Sequence, residues 1–177
     1  MPILRPMTFA PDSLSKGERE QLGRLVAWWG YVEYQAMVIV RVCCEKMTKE
    51  DMWLILVGAE VNALSSMLRT IAFSDHWIQD KTLRDRIGAF AGTLQNNAEK
   101  RNNHIHAVYG HVNNNVKKRV RHSFKPKGHR ATPSFELVSA ASLKRMANEA
   151  QALWQTAQNL SDDLKAYMAK RKASRGK

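Results

Sequence analysis

Residues 22–47 read LGRLVAWWGYVEYQAMVIVRVCCEKM, and the spacing of their apolar residues decides the fold class. These apolar residues recur at steps of three and four, which is the period that places residues on one face of an α-helix. The members of the stripe are Leu22, Leu25, Trp29, Val32, Ala36, Ile39, Cys43 and Met47. Ser15 and Glu18 form a capping-box pattern ahead of it, so we predict a first helix over residues 14–47.

Further segments with the same period predict a helical bundle. The predicted helices that follow the first one cover residues 49–72, 81–109 and 141–170. Thr48 is the expected N-cap of the second helix, and Gly110 is expected to end the third. Four such helices with short links predict a mainly α fold, an antiparallel four-helix bundle with crossings of about 20°. We expect residues 1–170 to form a single domain and residues 171–177 to be a disordered basic tail.

The apolar period changes between the third and fourth predicted helices. Residues 116–124, VKKRVRHSF, alternate apolar and basic residues. KPKG at residues 125–128 indicates a turn, and PSFELVS at residues 133–139 indicates a second strand. We therefore predict a short basic β-hairpin or extended arm before the last helix.

The charge of the chain points to an anionic partner. The formal net charge is +12, and the sequence from Lys100 to Phe135 contains no Asp or Glu. A basic balance of this size favours nucleic acid before membrane as the partner. We expect the arm to bind the RNA backbone through Lys117, Lys118, Arg119, Arg121, Lys125 and Lys127. The alternative is a solvated basic loop that keeps the protein soluble.

The composition also bears on location and assembly. No apolar run approaches the roughly 20 residues that span a bilayer, and the adjacent Cys43 and Cys44 fit small core residues in a reducing compartment. We expect a cytoplasmic protein without a membrane partner. The first helix also carries more aromatic surface than one bundle seam needs, in Trp28, Tyr31 and Tyr34 beside Trp29. This surplus predicts a homodimer.

A polar cluster marks the end of the third predicted helix, where residues 99–110 read EKRNNHIHAVYG. On a helix, Asn102, His106 and Tyr109 would share one face. Arg101 would fall in the apolar seam, where a guanidinium is costly unless it is paired or bound to an anion. A histidine transfers protons near neutral pH, and an arginine holds a phosphate by two hydrogen bonds. These groups suit metal-free cleavage of RNA, which carries its own 2′-hydroxyl nucleophile.

The motif RNNHIH, residues 101–106, resembles the motif of the HEPN superfamily: an arginine, a polar residue and, after four positions that follow the arginine, a histidine. The aromatic-rich LVAWWGYVEYQ ahead of the motif and the HAVYG that closes it are also similar to HEPN-type proteins. Many HEPN proteins are four- or five-helix bundles that dimerise through the motif helices. Many are metal-independent endoribonucleases in toxin–antitoxin, phage-defence and RNA-processing systems.

The resemblance implies roles for particular residues. His106 would be the general acid or base, Arg101 would hold the phosphate, and Asn102 would orient the pair, with each copy of the chain supplying half of the site. It implies no cofactor and no metal, and it allows a cognate antitoxin as a partner. Glu99 and Tyr109 are possible auxiliary residues. Some HEPN toxins place a tyrosine two residues after the histidine, whereas this chain has Val108 there.

Two alternatives to an endoribonuclease remain at this point. Arg101, Asn102 and His106 could form a structural polar network in a catalytically inactive HEPN-like module that binds RNA or protein. His104, His106 and His111 could instead bind a metal. A metal site is less favoured because residues two apart diverge on a helix, and no Cys or carboxylate has zinc spacing with them. The intact set of three motif residues favours the enzyme.

Overall fold

The structure is a computed structural model that describes residues 7–9, 13–44, 47–48, 50–51, 56, 59–105, 108–112, 115–127 and 130–175. The elements in chain order are β1 (Met7–Phe9), α1 (Lys16–Cys43), α2 (Val61–Phe73), α3 (Lys81–Ile105), β2 (Val108–Val112), β3 (Asn115–Lys127), β4 (Arg130–Leu137) and α4 (Ala140–Arg175). Helices hold most of these residues, so the predicted mainly α fold is confirmed. None of the described helices is long and apolar enough to cross a membrane.

The chain forms two compact units. Residues 1–27 and 99–149 make the first, which we call the sheet unit, and residues 28–98 and 150–177 make the second, the bundle unit. α1, α3 and α4 each contribute residues to both units, whereas α2 belongs to the bundle unit and the four strands belong to the sheet unit.

The bundle unit contains the predicted four-helix bundle. Contacting pairs of residues give the directions of the helices. Between α2 and α3 the pairs are Ser65 with Ala91 and Ala72 with Gly88. Arg86 of α3 pairs with Asp163 of α4, and Gln79, just before α3, pairs with Tyr167 of α4, while Trp28 with Trp154 and Gln35 with Gln158 join α1 to α4. Residue numbers fall along α3 as they rise along α2 and α4, so α3 is antiparallel to both. Numbers rise together along α1 and α4, so these two helices are parallel, and the predicted antiparallel arrangement holds for α3 with its neighbours but not for this pair.

The apolar stripe of α1 is buried as predicted. Its fully buried members include Trp29, Val32, Ala36 and Ile39. Burial of each of the larger side chains stabilises the fold by about 1.5–3 kcal/mol. Because the helix gains this free energy only when the apolar residues share one face, their spacing identifies the helix. The capping box ahead of α1 is confirmed, because the Ser15 N–H donates to the Glu18 carboxylate at 2.7 Å and the Glu18 N–H donates to Ser15 Oγ at 3.3 Å.

The second predicted helix is not continuous, and this part of the sequence prediction was wrong. Thr48 does act as an N-cap, since Asp51 donates its N–H to Thr48 Oγ1 at 3.1 Å. The hydrogen bonds from Thr48 hold the pKa of the Asp51 carboxyl below its usual value. Ala59 and Glu60 are not helical, however, and α2 begins at Val61. Gly58 precedes the break in the sequence, and glycine is a weak helix former.

The third and fourth predicted helices differ from the observed helices at their C-terminal ends. α3 ends at Ile105, and Tyr109 and Gly110 lie in β2, so the prediction that Gly110 ends a helix was wrong. Pairing of β2 with strands on both sides overrides the helical spacing of Ile105 and Val108. α4 continues to Arg175, into the segment expected to be a disordered tail. The Arg171 guanidinium donates to the Trp77 carbonyl at 2.8 Å.

The sheet unit contains a four-stranded antiparallel sheet in the order β1-β2-β3-β4. β3 and β4 form the predicted hairpin before the last helix, with Val120 opposite Leu137 at one end and Lys127 opposite Arg130 at the other. β1 pairs with β2, which the sequence did not predict because a three-residue strand shows no usable alternation.

Candidate functional site

The last turn of α3 brings two of the three motif residues together. Arg101 is half-buried, and its Nη1 donates to Asn102 Oδ1 at 2.6 Å. Asn102 is exposed. Ala98 and His104, three residues before and three after Arg101, are both buried. Arg101 therefore lies on the buried stripe of α3, as the spacing predicted, while its guanidinium donates to an exposed amide.

Tyr109 contacts the end of α3 in a way that helical spacing did not predict. It lies in β2, and its hydroxyl donates to the His104 carbonyl at 2.7 Å. The last carbonyls of a helix have no partner within the helix, so this bond satisfies one of them. The prediction that Tyr109 shares a helical face with Asn102 was wrong, because α3 ends before it. The structure indicates a role in joining β2 to α3.

His106 lies outside the described residues, so its position relative to Arg101 stays a prediction. In the chain it follows Ile105, the last residue of α3. Glu99 is on α3 and exposed. The proposed RNA-binding residues all lie in β3, which runs from Asn115 to Lys127: Lys117, Lys118, Arg119, Arg121, Lys125 and Lys127. The backbone register gives partners to Arg119, Arg121, Lys125 and Lys127.

His104 is a buried residue at this helix end that apolar spacing did not identify. It is nine-tenths buried, whereas its apolar neighbour Ile105 is half-buried. The signal that could have identified it is its separation from Ala98 and Arg101 by steps of three. Within the described part of the chain, no group of three His, Cys, Asp or Glu residues could hold a metal ion.

The bundle unit has a separate cleft of about 500 Å³, lined by Cys43, Cys44, Met47, His76, Trp77, Arg171 and Arg175. Burial raises the pKa of the Cys43 thiol to about 12, and the neighbouring Cys44 adds to this effect. Burial also raises the pKa of Cys44. Burial therefore favours the protonated thiol over the thiolate at both positions. Both cysteines fit the structural role predicted for them.

Comparison of the chain with protein-family models, with curated proteins and with solved structures finds no match. Any functional assignment therefore rests on the residues and contacts of the chain itself.

Proposed function

We propose that the chain is a HEPN-type, metal-independent endoribonuclease that acts as a homodimer. The observation that carries the proposal is the last turn of α3. There Arg101 and Asn102 are hydrogen-bonded to each other at 2.6 Å, a few residues ahead of His106 in the sequence and in the same unit as the basic β3. Arginine, amide and imidazole are the groups that RNA cleavage without a metal requires.

The chemistry is attack of a ribose 2′-hydroxyl oxygen on the adjacent phosphorus. The new bond joins the 2′ oxygen to phosphorus, and the bond from phosphorus to the 5′ oxygen breaks. The 2′-hydroxyl loses its proton as it attacks, and the departing 5′ oxygen gains one. His106 is the general acid or base in this proton transfer. Arg101 holds the non-bridging oxygens as negative charge grows on them, and Asn102 orients the guanidinium. The products are a 2′,3′-cyclic phosphate and a 5′-hydroxyl.

The setting proposed for this activity follows the family resemblance. A toxin or phage-defence component cuts cellular or phage RNA, so its place is the cytoplasm, and a cognate antitoxin or regulatory protein would be its partner. The overall test of the proposal is incubation of the purified protein with RNA in EDTA beside the His106→Ala variant.

A second candidate is a binding module of the same fold without turnover. The hydrogen bonds of Arg101 to Asn102 and of Tyr109 to the His104 carbonyl also fit a polar network that stabilises a helix end. Binding of RNA without any cleavage, unchanged by His106→Ala, supports this candidate over the enzyme.

Dimerisation is proposed through the exposed side of α1, with the motif helices of the two copies close to the dimer axis so that each supplies half of the site. Trp28 packs against Trp154 with ring centroids 5.2 Å apart, so part of the surplus aromatic surface is used within the bundle unit. Val26, Tyr31 and Tyr34 are exposed large hydrophobic residues. At 100° per residue they fall within an arc of about 140° on one side of the helix. An exposed apolar strip of this kind is typical of a contact between copies.

We expect light scattering to give the mass of a dimer at roughly 50 µM, and V26E/Y34E to give a monomer because two charges are then placed in the contact. The matched control is Phe73→Glu on α2, since Phe73 is also exposed and apolar, at 89%. This control should remain a dimer. Because each copy supplies half of the site, the V26E/Y34E monomer should lose RNA cleavage. A strictly monomeric parent protein would contradict the composite site.

A further inference from the structure

The strands of the sheet unit separate charged and apolar residues onto opposite faces. Alternate residues of a strand share a face, and residues paired across antiparallel strands share it too. This rule places five cationic residues on one face: Arg119, Arg121, Lys125 and Lys127 of β3 and Arg130 of β4. The other face carries apolar register positions such as Val120, Phe124, Phe135 and Leu137.

We infer that this charged face of the sheet binds the phosphate backbone of RNA, independently of base sequence, and leads the strand to the last turn of α3. The second half of the inference, delivery to Arg101, rests on the proposed function. The register refines the set of binding residues because it adds Arg130, which lies opposite Lys127. The register does not assign Lys117 and Lys118 to a face. His111 is opposite Arg119 and the next residue, Val112, is opposite Asn115, so the pairing skips residues 116–118 and the alternation is interrupted there.

The charge and spacing of this row fit a polyanion. Glu136, opposite Arg121, is the acidic residue among the described register positions of this face, so the five cations outweigh it. Alternate strand residues are about 6.8 Å apart, a repeat close to that of successive phosphates in an extended single strand. From Arg119 to Lys127 the row covers roughly 27 Å at about 3.4 Å per residue. It is long enough for several phosphates.

The same face connects to the motif helix through Tyr109. Tyr109 is opposite Arg121 in the register, so it belongs to the charged face. Its hydroxyl bonds to the carbonyl of His104, one turn beyond Arg101 on α3. A strand of RNA that follows the cationic row is therefore brought to the helix end that carries Arg101 and Asn102.

The distribution of aromatic residues favours recognition of the backbone over the bases. Proteins that hold single strands by their bases stack them on aromatic side chains. Tyr109 is the one Phe, Tyr or Trp among the described register positions of the charged face, and its hydroxyl is bound to α3. Phe124 and Phe135 lie on the opposite face. Affinity should therefore depend on phosphate charge and change little with sequence.

The test uses a labelled 2′-O-methyl oligoribonucleotide of roughly 20 nucleotides, which keeps the phosphates but has no free 2′-hydroxyl to attack. Binding is measured by fluorescence anisotropy at several salt concentrations. The variant R119Q/R121Q/K125Q removes three cations from the charged face. The control K144Q/K170Q/K172Q removes three exposed lysines from α4 and changes the net charge equally.

We expect the face variant to bind at least about tenfold more weakly near 0.1 M salt. Its log–log salt slope should be shallower by about 2, since each phosphate contact of a single strand contributes about 0.7. The control should stay within twofold of the parent, the charge-conserving R119K/R121K/K125R variant should bind like the parent, and a scrambled oligonucleotide should bind equally well.

Three results would overturn the inference: parental binding by the face variant, equal weakening in the control, or loss of binding in the charge-conserving variant. These results are separable from failure of the nuclease. A protein that binds the oligonucleotide as expected but never cuts natural RNA contradicts the nuclease alone. A face variant that cuts RNA as fast as the parent at limiting RNA contradicts this inference alone.

Discussion

Replacing His106 with alanine should lower the rate of RNA cleavage by about 10²–10⁴-fold, because it removes the group that transfers the proton. RNA binding should persist, since the proposed phosphate contacts come from the sheet and from Arg101. The fold should persist too, because the buried apolar stripes of the helices supply the stability of the bundle. The measurement is the single-turnover rate on a labelled RNA, with binding and thermal unfolding recorded for the same preparation.

The control for this experiment is His76→Ala. His76 is an exposed histidine of the bundle unit, so its removal changes the imidazole count equally without touching the motif. This variant should cut RNA within twofold of the parent. If His106→Ala cuts as fast as the parent, His106 has no catalytic role and the binding module becomes the better account.

Replacing Arg101 with alanine should cost roughly 3 kcal/mol of transition-state stabilisation, about 10²-fold in rate. The loss should appear in kcat more than in KM, because the charge that Arg101 stabilises grows as the phosphorus is attacked. Arg101→Lys should recover only part of the rate, since an ammonium group cannot make two parallel hydrogen bonds to a phosphate. Asn102→Ala should lower the rate less than Arg101→Ala does. The Asn102 Oδ1 accepts a hydrogen bond from the Arg101 guanidinium at 2.6 Å, so Asn102 orients that group but does not itself hold the phosphate.

The control for this second prediction is Arg69→Ala, which removes an exposed arginine of α2 and lowers the net charge by the same amount. It should leave both kcat and KM unchanged. A full rate for Arg101→Ala, or an equal loss in Arg69→Ala, would contradict the role given to Arg101. Dimer mass should be checked beside the rates, because Arg101 lies on the buried stripe of α3 and its loss can alter assembly.

Helical spacing predicted most of the core because burial of an apolar stripe is what stabilises these helices. Leu94 and Ala98 of α3 and Leu153 and Leu160 of α4 are buried and are separated by the four- and seven-residue steps that place residues on one face of a helix. The ends of the helices depended on partners that are distant in the sequence. Pairing with β1 and β3 draws residues 108–112 into β2, and no local pattern reports that pairing.

The candidate site was predictable in part for the same reason. Arg101 and Asn102 are neighbours in the chain, so their proximity follows directly from the sequence. Tyr109 was misplaced because its position follows from the strand pairing, and its bond to the His104 carbonyl could not be read from spacing. The alternation of β3 and a second strand over residues 133–139 were visible in the sequence, but β4 begins earlier, at Arg130, and the position of Arg130 on the charged face required the register.

The most direct test of the account is cleavage of RNA by the purified parent protein in the presence of EDTA, followed by identification of the product ends. The account predicts cleavage that EDTA does not reduce, products with a 2′,3′-cyclic phosphate and a 5′-hydroxyl, and no cleavage of DNA of the same sequence, which lacks the 2′-hydroxyl. RNA that stays intact under all conditions, cleavage that EDTA abolishes, or DNA that is cut equally well would contradict it.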